Sequence, residues 1–432
     1  MGLLKHIRKE SLSNKEINRK QLEKLKALLY EKLGYKGMLE ISSKSEDIAR
    51  SELQISLRSI LNTSGASLDP SHADILIQAL IDEILGLGPL ESLLNDEQVT
   101  EIMVNGMRSM FYEKGGKLHQ IEQVFVSEEQ IRVLIDRIIS PLGRRLDEQS
   151  PIVNARLKSG YRVNAVIPPL SIDGPCLTIR KFSDRISSLD ELVDLGSIPK
   201  WYAMLLSFAV RDRQNIAVVG GTGSGKTTLL NALSCEIPKT ERIITIEDSA
   251  ELKFKSHPHV VRLEKRDASI EGLGEVSIRD LVINALRMRP DRIVVGECRG
   301  AEAIDMLQAM NTGHDGSLTT LHAGSPDEAI MRLILMSRFG IDLPTDVIEE
   351  QIASALDLIV MQARLGDGKR LVTELCRVSR GENGGVKLEN LVDFNSSTRT
   401  YALSHPDELI QKFNAIECLS KDEVSTWYKL LP

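Results

Sequence analysis

The chain has 432 residues, 42% hydrophobic and only 4% aromatic, with a net charge of −7. That length exceeds one ordinary domain and predicts two or three with packed cores, while the acidic balance argues against a global field for nucleic acid. Five cysteines without a C-x-x-C pair (Cys176, Cys235, Cys298, Cys376, Cys418) argue against a disulfide framework or a zinc site and suit a reducing cytoplasm. The start, Met1-Gly2-Leu3-Leu4-Lys5-His6, has no apolar signal core, and position 6 lacks the Ser/Thr of a myristoylation motif. The most apolar early stretch, Ile75 to Leu94, is broken by Asp82, Glu83 and Glu91. No span reaches the roughly 20 uncharged residues of a membrane helix, so any membrane association is expected to be indirect, through a partner.

In chain order, residues 1–66 read as a helical module, periodic and charged. Basic residues outnumber acids up to Lys36 (Lys5, Arg8, Lys9, Lys15, Arg19, Lys20, Lys24, Lys26, Lys32). Two readings are open: a solvated face, or a surface for acidic lipid head groups or an acidic partner. Thr63-Ser64-Gly65-Ala66-Ser67 reads as a hinge.

Residues 67–182 read as an α+β domain. It opens with a helix from Ala73 to Leu85, closed by Gly86-Leu87-Gly88-Pro89. Alternating strands follow at Glu101–Gly106 and Met110–Glu113, with Lys114-Gly115-Gly116 as the turn, then at Val163–Ile167 and Cys176–Ile179. Residues 183–199 are polar and turn-rich and read as a linker. From 200 to 385 strands and helices alternate, the pattern of a parallel sheet covered by helices. Residues 386–432 read as an acidic, peripheral helical segment.

Chemistry concentrates in the third region. Gly220-Gly221-Thr222-Gly223-Ser224-Gly225-Lys226-Thr227 is a complete G-x-x-x-x-G-K-[ST] loop, between the β-branched run Asn215–Val219 and a helical start at Thr228. Glycines let successive N–H groups converge on one phosphate, and the helix N-terminus adds partial positive charge. Lys226 would reach the β/γ-phosphates and Thr227 would ligate Mg²⁺, so the chain is expected to bind ATP.

Arg242–Ile246 is an apolar strand ending in Glu247-Asp248, where Glu247 would position or deprotonate the attacking water and Asp248 would act through the metal's water shell; an acidic pair there also serves as a helix cap. Arg292–Gly296 is a second such strand, ending in Glu297, which stands in for the usual Asp at Gly296 and faces the metal or its water. His314 and His322 bracket a short strand within Thr312–Ala323. Either could donate to a γ-phosphate and lose that partner on hydrolysis, or simply pack.

Residues from about 85 to 385 resemble the type II/IV secretion ATPase superfamily, most closely the CpaF-type motors of Tad/Flp pilus assembly. The matching stretches are Gly86–Leu90, Glu101–Gly106, Arg144–Glu148, Ser150–Leu157, Arg162–Pro169 and Thr178–Phe182. In the motor region they are the phosphate loop, an Asp box at Thr245–Leu252, the acidic strand Arg287–Glu297 and a His box at Thr312–Ala323. The resemblance implies an α/β fold: a RecA-like P-loop motor domain preceded by a PAS-like α+β domain and the helical module. It also implies a Mg-dependent ATP-hydrolysing hexamer in the cytoplasm, driving pilus assembly or secretion through inner-membrane platform proteins, with no specific nucleic acid. By the same resemblance Glu247 is the catalytic glutamate, Glu297 the second carboxylate and His322, with His314, the γ-phosphate sensor. Arg156, Arg162 and Arg180 would supply guanidinium groups to a triphosphate. Two departures stand out: Gly324 where the family commonly has Asn, and Ile334 where it has Glu. A type IV secretion traffic ATPase is the alternative, followed by a nucleic-acid translocase or a non-hydrolysing scaffold.

Overall fold

A computed structural model describes residues 21–432 apart from 23, 35–36, 38–39, 42–43, 45, 64–69, 123–124, 126, 143, 158, 182–187, 255–256, 267, 269–272, 383 and 415–418. The basic residues Lys5 to Lys20, Lys36, most of the expected hinge, the start of the expected linker and Cys418 lie outside the described residues. The chain divides into two compact units, Met1–Ser183 and Asp184–Pro432.

The first unit has two cores. Helical residues between 21 and 34 and the helices Glu46–Thr63 and Pro70–Ile84 bury Leu25, Leu29, Leu53, Leu57 and Leu80 together. The third of these helices was expected in the α+β domain. It belongs to the helical cluster because Ile77, Leu80 and Ile81, spaced three and four apart, form one apolar stripe that this cluster covers.

The second core lies under a six-stranded antiparallel sheet: β1 (Val99–Asn105), β2 (Ser109–Lys114), β3 (Lys117–Glu122), β4 (Ile152–Arg156), β5 (Arg162–Val166) and β6 (Cys176–Arg180), ordered β3-β2-β1-β6-β5-β4. Gly115 and Gly116, both at positive φ, make the two-residue β2–β3 turn. Ile131, Leu134, Ile135 and Ile138 of the helix Glu128–Ile139 join the sheet's buried face.

The second unit is a nine-stranded sheet with helices on both faces. Its strands are β7 (Ile216–Val219), β8 (Ile243–Glu247), β9 (Val260–Glu264), β10 (Arg292–Val295), β11 (Leu318–Leu321), β12 (Leu358–Arg364), β13 (Arg370–Arg380), β14 (Val386–Asn395) and β15 (Thr400–Leu403). The order is β15-β14-β13-β12-β7-β11-β10-β8-β9, parallel from β12 to β9 and antiparallel from β12 to β15. All four β7 residues are buried, Ile216 and Val218 in one core, Ala217 and Val219 in the other. That is why the parallel strands read as unbroken apolar runs. The charged Arg292, fully buried at the start of β10, bonds Glu241 (2.5 Å) and the carbonyls of Gly316 (3.0 Å) and Val210 (2.9 Å).

Two stretches depart from expectation. Part of the expected linker is a helix, Leu189–Asp194, opened by a Ser188/Glu191 capping box and anchored in the core through Leu189 and Leu192. The expected peripheral helical segment begins with β14 and β15, which complete the sheet and bury Leu391 and Val392, and ends in the helix Lys421–Leu430, whose Trp427 is wholly buried. Among the described residues no helix is long and apolar enough to cross a membrane.

Candidate active site

In a parallel sheet every strand delivers its C-terminal end to one edge, and ligands bind outside that edge. Here β7, β8, β10 and β11 run parallel, so the phosphate loop after β7, Glu247 at the end of β8, Glu297 after β10 and His322 after β11 share it. Residues separated by as many as 102 positions, Gly220 and His322, thus reach one edge through topology alone.

The loop is shaped as a phosphate cradle. Gly223 (φ +69°) and Gly225 (φ +105°) take left-handed conformations that a side chain would strain, and Gly225 caps the helix Lys226–Ser234. A Cβ on Gly220 would collide with the Gln362 carbonyl and the Ser224 hydroxyl. Gln362 Nε2 donates to the Ser224 carbonyl (3.1 Å) and Arg370 Nε to that of Gly223 (2.9 Å), so β12 and β13 brace the loop from outside. Lys226 Nζ donates to the Gly221 carbonyl (3.1 Å). Burial lowers its pKa, opposed by the charge of Glu297. Thr227 and Thr228 follow in the first helical turn.

Glu247 is 3% exposed. Its Oε2 accepts from the amides of Glu251 (2.7 Å) and Leu252 (2.9 Å), whereas the buried Oε1 has no protein partner. Burial raises the carboxyl's pKa, and the two amides offset part of the effect. Gly296 explains itself here: a Cβ at that position would stand 3.1 Å from Glu247 Cγ, so an Asp there would press on the neighbouring glutamate.

Glu297 Oε2 accepts from Arg299 Nη2 (2.6 Å), and Arg299 Nη1 lies 3.7 Å from Asp248, which also pairs with Lys265 (2.7 Å). His322 is half-buried beside Glu328, whose pKa is lowered first by the Gly324 amide (2.6 Å). His314 is elsewhere. It precedes β11, hence lies at the opposite edge, with Nδ1 3.3 Å from the Ala309 carbonyl, and cannot share the sensor role.

In the first unit, Arg156, Arg162 and Arg180 are cross-strand neighbours across β4, β5 and β6, followed by Glu101 on β1. Cross-strand partners share a face, so the three arginines form a row on one side of the sheet, where Arg156 Nε donates to the Gly160 carbonyl (3.0 Å). Sequence reasoning missed Gln362, Arg370 and Arg299. The Gly-Asp-Gly turn between β12 and β13 was a visible hairpin signal, but nothing local tied it to a loop about 140 positions earlier.

Residues 83–417 match the family described as type II/IV secretion system protein. The chain belongs to that family. A Mycobacterium tuberculosis protein provisionally named for conjugal transfer is 38% identical over 312 residues, 71% of this chain and 88% of that protein. The type IV secretion system protein PtlH of Bordetella pertussis is 35% identical over 318 residues, 68% of this chain and 93% of its own. Among solved structures, the VirB11 ATPase of the Brucella suis type IV secretion system, in complex with sulphate, is 30% identical and covers 70% of this chain and 96% of that one, with a TM-score of 0.37. This secretion-family chain is an ATPase with a RecA-like P-loop unit.

Proposed function

We propose that this secretion ATPase is a Mg-dependent hexameric motor, cytoplasmic and peripheral at the inner membrane, that drives assembly of a Tad/Flp-type pilus or protein secretion through membrane platform proteins. The observation that carries the hydrolytic reading is the buried Glu247 Oε1, unpartnered at the edge that also holds the phosphate loop. A buried acceptor without a donor is costly unless a ligand supplies one, and the attacking water does. Glu247 would take that water's proton, Lys226 would hold the β/γ-phosphates, and His322 would sense the γ-phosphate.

Magnesium fits the oxygen donors, Thr227 hydroxyl and Glu297 carboxylate. Among the described residues no cluster of three or more His, Cys, Asp or Glu offers an all-protein cage, which suits an ion shared with substrate phosphates. Bound there, it would neutralise charge developing on the phosphates. Arg156, Arg162 and Arg180 would supply further positive charge, and their adjacency across three paired strands of one sheet supports that reading.

The names of the relatives, VirB11, PtlH and the conjugal transfer protein TrbB, favour the type IV secretion traffic ATPase as a second reading. The test common to both is ATP turnover. Lys226→Ala should lose ATP affinity and hydrolysis together, whereas Glu297→Gln should keep ATP bound while hydrolysis falls about ten-fold or more. Equal loss of binding in both variants would remove Glu297 from the hydrolytic machinery.

A further inference from the structure

We infer that Arg299, which no family motif assigned, is the positioning residue of this site, clamping Glu297 to the end of the neighbouring strand. Its guanidinium donates to Glu297 Oε2 at 2.6 Å and lies 3.7 Å from Asp248 Oδ2, so one fork bridges the carboxylates that follow β10 and β8. Asp248 is held from its other side by Lys265 at 2.7 Å. The result is a chain of alternating charge, Glu297–Arg299–Asp248–Lys265, along the edge where the substrate would bind.

The backbone beneath Arg299 is built to hold it. Glu302, 9% exposed, accepts from the amides of Arg299 (2.6 Å) and Gly300 (2.9 Å) through one oxygen. Thr320 Oγ1 donates to the Gly296 carbonyl at 2.7 Å, and the Cys298 amide to that of Thr320 at 3.0 Å. Residues 296 to 300 are therefore tied to β11 on one side and to the helix Glu302–Asn311 on the other. A loop fixed at its amides sets where the Arg299 side chain begins, and the guanidinium at its far end is bonded to Glu297.

Asp248 was expected to act through a metal's water shell. Its engagement by two cations makes it an anchor instead. Glu297 carries a longer, freer side chain than the usual Asp, and an aimed guanidinium removes the extra rotamer freedom. Arg299 thus acts through Glu297, without a bond to substrate.

The inference rests on the ATPase reading, and the test separates the two. In the purified full chain, Arg299→Ala should lower single-turnover hydrolysis about ten-fold while leaving the Kd for a fluorescent ATP analogue within about two-fold. Arg299→Lys keeps the charge but loses the fork, and should recover part of the rate. In a Glu297→Gln background, Arg299→Ala should cost little more, because the residue it positions is already disabled. The inference is overturned by full additivity of the two substitutions, or by parallel loss of ATP affinity in Arg299→Ala, which would make Arg299 a phosphate ligand. It is also overturned if Arg299→Lys is as slow as Arg299→Ala while both melt at the wild-type temperature. A wild-type chain that does not hydrolyse ATP would sink the ATPase reading instead.

Discussion

In the proposed mechanism Glu247 trades stability for reactivity. A carboxyl buried to this degree is driven towards its neutral form, and two backbone amides restore only part of the charged state. Its folded pKa is raised, so ionisation costs stability as pH rises through the folded value, and a base at this position works only above that value. The acid limb of the kcat profile should therefore lie above the range of an ordinary exposed glutamate. Glu247→Gln should abolish that limb along with most turnover, yet melt at an equal or higher temperature at neutral pH. Turnover measured across the acid range, with calorimetry of the same variant, checks both parts; an acid limb that persists unchanged in Glu247→Gln belongs to another group.

At the scale of elements, the C-terminal stretch is structural. Trp427 is fully enclosed, and its indole N–H donates to the Trp201 carbonyl at 2.8 Å, tying the last helix to the helix Lys200–Arg211. Trp427→Ala should cost about 3–5 kcal/mol in urea unfolding, the range for a buried aromatic that leaves a cavity; a loss under about 1 kcal/mol would mean the helix is only loosely attached. Truncation at the other end is informative too. Removing residues 1–62 would strip the cover from Ile77, Leu80 and Ile81, so that variant should expose apolar surface and aggregate. A chain beginning at residue 87 loses that stripe as well and should stay more soluble, as light scattering would report.

For the whole molecule, the proposed nucleotide-binding groups lie in the second unit and the three arginines in the first. A head-to-tail ring lets such a row serve a neighbour's nucleotide, because heterologous interfaces close when the rotation allows. Native mass spectrometry with a non-hydrolysable ATP analogue should show hexamers. Fully active monomers at working concentration would refute the ring.

Local chemistry determined much of this protein. The phosphate loop needs only its own glycines, Lys226 and the flanking strand and helix, so it was legible without any fold. The acids after the apolar runs at 243–246 and 292–295 were legible as strand-end carboxylates for the same reason. Their convergence was a matter of topology: parallel pairing sets Glu247, Glu297 and His322 at one edge and His314 at the other, although His314 and His322 are only eight positions apart in sequence. Gly296 could be read only as a missing Asp until Glu247 was found packed against it. Gln362 and Arg370 carry no local signal, since each acquires its partner only when strands distant in sequence are brought side by side; Arg299 stands two positions from Glu297, but its link to Asp248 exists only because β8 and β10 pair. Sequence carries what a residue does with its immediate neighbours along the chain; the partners it meets across the sheet are set by which strands pair, and that depends on burying two apolar faces at once.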